Sequence, residues 1–184
     1  MNAVALWKSV EDWSGEGRLC VRCNRWLARR ALARFFGAIS RLGDGAFWYA
    51  LMLGLAALAG SEGRIAALHM GLTGLVAAAL YRLLKRWTRR PRPFRAHAEI
   101  IAHVPPLDEF SFPSGHTLHA VCFTILALSY FPLLAPLLLP FMLLVAASRV
   151  VLGLHYPSDV LAASLIGVLL ATTSLWLGRV AFGV

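Results

Sequence analysis

Ser148-Arg149-Val150-Val151-Leu152-Gly153-Leu154-His155-Tyr156-Pro157-Ser158-Asp159 is the stretch that joins the last two apolar runs of the chain. It places ionisable groups between segments apolar enough to enter a membrane, where such groups are costly unless they serve a function. Pro157 suits the first turn of a helix, so we expect His155 just before that helix and Asp159 within its first turn. The carboxylate can then bond one ring nitrogen of His155 and leave the other free as a nucleophile or base. For this stretch alone, a structural histidine at the start of a helix is the alternative.

Composition indicates a single membrane-embedded domain. The 184 residues are 59% hydrophobic with a mean hydropathy of +0.67, whereas about half of the residues are apolar in ordinary soluble domains. The net charge of +9 is compatible with nucleic acid, anionic lipid or a phosphorylated substrate as partner. Membrane segments favour the last two, so we expect no nucleic-acid partner. The oligomeric state stays open.

Five apolar runs predict the architecture. They cover about residues 46–60, 64–84, 116–131, 134–151 and 158–178, and each is near the roughly 20 residues needed to cross a bilayer. Turns are expected at 42–45 and 60–63, and the proline-broken residues 85–113 are expected to form a loop. The sequence therefore predicts an all-α integral membrane helical bundle of about five transmembrane helices in residues 45–184.

The N-terminal residues 1–44 are predicted to lie at the membrane surface. From Arg18 to about Ser40, apolar side chains and arginines alternate at near-helical spacing. This pattern is typical of an amphipathic helix in the headgroup region, with its arginines on anionic lipid headgroups. Cys20 and Cys23 form a lone CxxC, which without a second pair is a weak metal or redox signal. Acidic residues precede the first apolar run, so we expect no cleavable signal peptide.

Topology predicts that three polar stretches meet on one side of the membrane, because each span reverses the side on which the chain emerges. The first stretch, residues 85–93, is rich in Lys and Arg. Alone it resembles the positive flank of a membrane span. If this stretch forms a binding site, Lys85 would supply a point charge to phosphate oxygens and Arg92 would supply a planar pair of donors. Pro93 would restrict the backbone at Arg92.

The second polar stretch is Phe112-Pro113-Ser114-Gly115-His116. Ser114 is suited to cap a helix, and Gly115 lets a ligand approach the backbone, so amides at the helix start would point at an anion. A plain cap does not explain why the ionisable His116 follows at the top of an apolar helix. We interpret His119, one turn further on, as a packing or supporting residue.

Together with residues 148–159, these stretches resemble the signature of the PAP2 (phosphatidic acid phosphatase type 2) superfamily of membrane lipid phosphatases. That signature reads Lys-x6-Arg-Pro, then Pro-Ser-Gly-His, then Ser-Arg-x5-His-x3-Asp. The residues that match it without a gap are Lys85, Arg92 and Pro93; Pro113, Ser114, Gly115 and His116; and Ser148, Arg149, His155 and Asp159. The match lies within residues 85–159, and its order and spacing are specific.

The resemblance implies hydrolysis of a phosphate ester through a phosphohistidine, without a metal or other cofactor. His155 would be the nucleophile, Asp159 would hold its tautomer, and His116 would act as general acid and base. The residues expected to bind the substrate phosphate are Lys85, Arg92, Ser114, Gly115, Ser148 and Arg149. A zinc site at His116, His119 and His155 is disfavoured, because the converging cations would repel a metal ion. An anion channel or transporter lined by Arg92 and Arg149 is the alternative from another class, but it does not explain the spacing of His155 and Asp159.

The substrate that the family suggests is a polyprenyl diphosphate such as undecaprenyl diphosphate, in the cytoplasmic (inner) membrane of a bacterium. Phosphatidylglycerophosphate, phosphatidic acid and a lipid A phosphate remain open, because the signature addresses the phosphate and not the lipid tail. The side of the membrane also stays open. Most Lys and Arg residues fall on the active-site side, which favours the cytoplasm, but several of them belong to the site and the family often works on the outer face.

Overall fold

The computed structural model describes residues 15–182, so the start of the predicted surface segment, residues 1–14, lies outside the described residues, as do residues 183–184. Within residues 15–182 the regular structure is entirely helical. The α-helices are α1 (Glu16–Asn24), α2 (Arg30–Arg41), α3 (Phe47–Leu58), α4 (Gly60–Thr88), α5 (Pro93–Ala96), α6 (Gly115–Tyr130), α7 (Ala135–Val151) and α8 (Pro157–Phe182). The predicted all-α class is confirmed.

Three helical stretches among the described residues are long and apolar enough to cross a membrane. They are Gly60–Ala96, Pro132–Val151 and Pro157–Val180, and they correspond to three of the five predicted runs. The other two runs form the shorter helices α3, of 12 residues, and α6, of 16 residues. At 1.5 Å per residue α6 rises about 24 Å, less than the roughly 30 Å hydrocarbon core. The fold is thus a helical membrane bundle in which helix lengths differ.

Helix α6 lies at the centre of the bundle and packs against α4, α7 and α8. It is apolar on most of its circumference, which is typical of a helix surrounded by others. Glycines on the neighbouring helices allow close approach: a Cβ at Gly74 would lie 2.7 Å from the Phe123 ring, and one at Gly167 would lie 3.0 Å from the carbonyl oxygen of Leu118. Small residues at such contacts are characteristic of membrane helix packing.

The prediction of one continuous amphipathic helix from Arg18 to Ser40 is wrong. The segment forms α1 and α2, separated by a 3₁₀ turn at Arg25–Ala28 and by Arg29 in an extended conformation. Tertiary contacts explain the break. The Asn24 side chain donates to the carbonyls of Ile101 and Val151, and Leu27 is buried against residues 151–154. The division of the chain at residue 44 stays a prediction, but α1 and α2 pack on the bundle.

The predicted turns are shifted. Residues Leu42–Ala46 are helical with a kink at Gly45, whose φ of 130° favours glycine. The next reversal lies at Ala59 and Gly60, so residues 61–63 already belong to α4. Helix α4 also extends to Thr88, past the predicted end at residue 84, before Pro91 and Pro93 prevent its continuation. The consequence for function is that Lys85 projects from a helix and not from a loop.

Candidate active site

The loop between α7 and α8 presents His155. Helix α7 ends at Val151, Gly153 adopts a φ of 71°, and the backbone N–H groups of Leu154 and His155 both donate to the carbonyl of Arg149. Helix α8 begins at Pro157 and carries Asp159 in its first turn, as predicted. His155 and Asp159 are both buried, with exposures of 2% and 0%. The backbone therefore holds an imidazole and a carboxylate together, away from water.

The two ring nitrogens of His155 face opposite charges. Nε2 lies 3.3 Å from Nη1 of Arg92, and Nδ1 lies 3.5 Å from Oδ2 of Asp159. A guanidinium can only donate, so Nε2 is the acceptor and the proton of the neutral ring resides on Nδ1, toward Asp159. Among the described residues, Nδ1 has no hydrogen-bond partner, and the Asp159 oxygen at 3.5 Å is a long contact. This arrangement leaves the Nε2 lone pair as the reactive one.

Charge around the ring keeps His155 neutral. Burial, followed by the positive charges of Arg92, Arg149 and Lys85, lowers the pKa of His155 well below its ordinary value. Lys85 and Arg92 belong to the first polar stretch and Arg149 to the third, so charges from both stretches act on this one imidazole. A neutral imidazole retains the lone pair that nucleophilic attack requires.

Asp159 is held by residues that the sequence analysis missed. Its Oδ1 accepts from Nη1 of Arg90 at 2.8 Å. Its Oδ2 accepts from the Ser111 hydroxyl and, at 2.8 Å, from the backbone N–H of Tyr156. Arg90 lies among several basic residues in the first polar stretch, and nothing in its spacing distinguishes it from its neighbours. Three donors thus hold the Asp159 carboxylate independently of its contact with His155.

Arg90 links the site to the N-terminal helix. Its guanidinium also donates to Oγ of Ser158 at 2.6 Å and to Oε2 of Glu16 at 3.0 Å. It lies over the Tyr156 ring, 4.0 Å from the ring centre, in a cation–π contact. Glu16, at the start of α1, therefore contributes to the support of Asp159 from outside the predicted site.

Lys85 and Arg92 share one carboxylate. The Lys85 ammonium donates to Oδ1 of Asp108 at 2.7 Å and to the carbonyl of Phe110 at 2.8 Å. Arg92 donates from Nη2 to the same Oδ1 at 2.7 Å, from Nε to the Asp108 carbonyl at 3.1 Å, and from Nη1 to the Leu154 carbonyl at 2.8 Å. Asp108 was not predicted, since the sequence placed it in an undifferentiated loop.

Ser114 caps α6, as its type predicts. Its side chain accepts from the backbone N–H of Thr117, and its own N–H donates to the Asp159 carbonyl at 3.3 Å. This bond ties the second polar stretch to the third. Gly115, the first residue of α6, lies against the Tyr81 ring, which a Cβ would meet at 3.4 Å. The start of α6, with its partial positive charge, is therefore anchored at the site.

His116 and Arg149 are contacted by residues that precede the first long helix. Nε2 of His116 lies 3.5 Å from Oδ1 of Asp44, in the kinked segment between α2 and α3. Nη1 of Arg149 donates to the hydroxyl of Ser40 on α2.

Ser148 is buried, and its hydroxyl donates to the carbonyl of Val145 at 2.6 Å. Its phosphate-binding role stays a prediction, and in this conformation its donor is occupied.

His119, one turn after His116 on α6, supports the helix packing. His119 bonds the backbone carbonyls of Gly115 and Gly74, at 2.9 and 3.2 Å, which agrees with a supporting role. In the range 15–182 there is no group of three or more His, Cys, Asp or Glu side chains arranged to hold a metal ion.

Comparison with known proteins shows the family to which this chain belongs. The family model described as the PAP2 superfamily matches residues 65–181. The chain belongs to the PAP2 superfamily. Decaprenylphosphoryl-5-phosphoribose phosphatase of Mycolicibacterium smegmatis is 35% identical over 124 residues, which are 67% of this chain and 66% of that protein. Undecaprenyl-diphosphatase BcrC of Bacillus subtilis is 33% identical over 123 residues, which are 66% of this chain and 63% of its own length. The matches therefore span just under two thirds of these relatives.

A solved structure agrees with the PAP2 fold. The crystal structure of a transmembrane PAP2 type phosphatidylglycerolphosphate phosphatase from Bacillus subtilis aligns with a TM-score of 0.74 and 23% identity, covering 96% of this chain and 92% of that one. At this identity the likeness concerns the fold alone. The family match begins within α4, so α1, α2 and α3, with Glu16, Ser40 and Asp44, lie outside it.

Proposed function

We propose that this PAP2 protein hydrolyses the terminal phosphate of a membrane lipid phosphate or diphosphate through a phosphohistidine on His155. The observation that carries the proposal is the buried imidazole of His155, whose Nε2 faces Arg92 while its Nδ1 faces Asp159. Lys85 and Arg92 beside it form a paired cationic site of the kind that binds phosphate oxygens.

In the first step, Nε2 of His155 attacks phosphorus in line and the bond from phosphorus to the leaving oxygen breaks. His116, in its protonated imidazolium form, gives a proton to that oxygen, so a lipid phosphate leaves as the alcohol and a lipid diphosphate leaves as the monophosphate. Asp159 stabilises the positive charge that forms on the ring, much as a carboxylate supports the histidine of a catalytic triad. Asp44, 3.5 Å from His116, orients that imidazole.

In the second step, water attacks the phosphohistidine, His116 accepts a proton from it, and inorganic phosphate is released with His155 restored. Throughout, charge spreads over the equatorial phosphate oxygens. The groups assigned to them are the side chains of Lys85, Arg92, Ser114 and Arg149 and the amide of Gly115, with Ser148 supporting Arg149 or bonding a phosphate oxygen.

For the substrate we propose a polyprenyl diphosphate such as undecaprenyl diphosphate, in the inner membrane of a bacterium. The names of two relatives, a decaprenylphosphoryl-5-phosphoribose phosphatase and an undecaprenyl-diphosphatase, support a substrate on a polyprenyl chain, and the second name supports the diphosphate. Phosphatidylglycerophosphate, phosphatidic acid and lipid A phosphate are the alternatives within the same chemistry. Anionic lipid headgroups around the arginines of α1 and α2 are the other proposed partners.

The test is a panel of these lipids with the purified full-length chain, measuring released phosphate. The phosphorylated intermediate should be trapped by acid-free quenching from a substrate labelled in its terminal phosphate, and it should be labile to acid and stable to base. Turnover without any label on His155 would contradict the covalent route, and release from none of the lipids would contradict the proposed function.

A further inference from the structure

The Asp108 side chain occupies the position between the two cations assigned to phosphate. Its Oδ1 lies 2.7 Å from Nζ of Lys85 and 2.7 Å from Nη2 of Arg92. These are the distances that a phosphate oxygen would adopt to the same donors. One oxygen can occupy that position at a time, so a bound phosphate and the Asp108 carboxylate exclude each other there.

The carboxylate is the partner that can move. The Lys85 and Arg92 side chains are 6% and 2% exposed, whereas that of Asp108 is 37% exposed. Withdrawal of a buried cation would leave it without a partner, which is costly. Rotation of Asp108 toward water exposes a charge that water solvates well. Arg92 meanwhile keeps its bond from Nε to the Asp108 carbonyl, which does not depend on the side chain.

Charge balance gives a phosphate the advantage once it arrives. Burial alone would raise the pKa of Asp108, but the charges and hydrogen bonds of Lys85 and Arg92 outweigh it and hold that pKa below its ordinary value. The carboxylate is therefore ionised at neutral pH and supplies one negative charge to two cations. A phosphate dianion supplies two charges and several oxygens, so it can neutralise both cations.

We propose that Asp108 is an internal competitor that sets the affinity of this site for phosphate-class anions. The inference rests on the proposed function, because it takes Lys85 and Arg92 as phosphate ligands. Substrate, inorganic phosphate and vanadate must each displace the carboxylate, so each binds more weakly than the cations alone would allow. Weak retention of inorganic phosphate speeds product release.

A purely structural role for Asp108 makes the opposite prediction. If the carboxylate stays in place when phosphate binds, it orients Lys85 and Arg92, and loss of its charge weakens anion binding. The sign of the change in affinity therefore separates the two roles.

The experiment compares Asp108→Asn with Glu109→Gln in the purified full-length chain. Glu109 is the matched control: it is the neighbouring carboxylate, is 65% exposed, and pairs with the exposed Arg95 at 3.3 Å. Inhibition constants are measured for inorganic phosphate and for orthovanadate, which imitates five-coordinate phosphorus. We expect both constants to fall about tenfold in Asp108→Asn and to stay unchanged in Glu109→Gln. The factor is about tenfold because a hydrogen bond to a charged group contributes about that much or more.

KM for the lipid should fall in parallel if lipid phosphate and free phosphate use the same cations. Unchanged or larger inhibition constants in Asp108→Asn overturn the proposal.

Asp108→Asn leaves Lys85 and Arg92 less well neutralised, so this variant is expected to be less stable than wild type. A second measurement, the unfolding temperature with added inorganic phosphate, tests the proposal despite that loss. Inorganic phosphate should raise the unfolding temperature of this variant more than that of wild type, since it replaces the missing charge, and failure to do so overturns the proposal. If wild type neither responds to vanadate nor is stabilised by phosphate, the proposed function falls and this inference with it. If wild type responds and Asp108→Asn binds no tighter, only the inference falls.

Discussion

Nη1 of Arg92 lies 3.3 Å from Nε2 of His155, so the nitrogen proposed to attack phosphorus accepts a hydrogen bond from a phosphate-binding guanidinium. Asp108 and the Leu154 carbonyl hold Arg92 in this orientation. For attack to occur, the guanidinium must direct its donors to the phosphate and release the lone pair of the imidazole. The groups of the site are thus paired with one another, and substrate binding exchanges these internal contacts for contacts to phosphate.

Replacing the proposed nucleophile should abolish turnover. We expect His155→Ala to lose at least about a thousandfold in kcat, because the proposed covalent intermediate forms on this ring and alanine has no nucleophile to replace it. The measurement is phosphate release, with circular dichroism and thermal unfolding to verify the fold. His103→Ala is the matched control, since His103 is exposed in the loop before α6, and it should retain wild-type rates. Activity of His155→Ala equal to that of the control would exclude His155 as the nucleophile.

Removal of metal ions should leave the rate unchanged. The proposed charge stabilisation comes from Lys85, Arg92 and Arg149, which belong to the chain and cannot be chelated. The purified protein is dialysed against EDTA and assayed with and without added Mg²⁺ or Zn²⁺. An absolute requirement for either ion would refute the mechanism.

Arg90 should matter for both stability and activity, although it belongs to no sequence motif that we identified. Arg90→Gln leaves the buried Asp159 without its charged partner, and loss of one member of a buried ion pair costs about 3–5 kcal/mol. We expect a lower unfolding temperature together with a fall in kcat, since Asp159 then supports His155 less well. Arg86→Gln, at an exposed position of α4, is the control. If the two variants behave alike, the Arg90 network does not support the site.

Stability should depend on pH through His155. Its pKa is lowered in the folded chain, whereas in the unfolded chain it is near the ordinary value of about 6.5. Below about pH 6.5 the unfolded chain therefore binds a proton that the folded chain does not, so the free energy of unfolding falls as the pH falls. At pH 5.5 this penalty amounts to about 1.4 kcal/mol for one group.

The corresponding measurement is thermal unfolding at pH 7.5 and pH 5.5 in wild type, His155→Asn and His103→Asn. The asparagine at position 155 cannot titrate, so the acid-induced loss should be smaller in that variant than in wild type and in the exposed control. Equal losses in all three proteins would show that His155 does not titrate as its burial predicts.

Several features were predictable because their causes are local in the chain. The apolar runs predicted a helical bundle, Pro157 predicted the start of α8, and Ser114 predicted the cap of α6. The single amphipathic helix was wrong because the burial of Asn24 and Leu27 overrides the helical periodicity of the N-terminal segment. A tertiary contact of that kind leaves no mark on spacing along the chain.

By itself, the amino-acid sequence determined the helical class, the family signature and the i, i+4 relation between His155 and Asp159, since hydrophobic period, capping and short spacing act between near neighbours. Only the tertiary structure decided which groups support them: Arg90 on Asp159 across 69 positions, Ser40 on Arg149 across 109, and Asp108 between Lys85 and Arg92. Electrostatic attraction and hydrogen bonding depend on distance in space. Helix packing, and not the order of residues, sets that distance for groups so far apart in the chain.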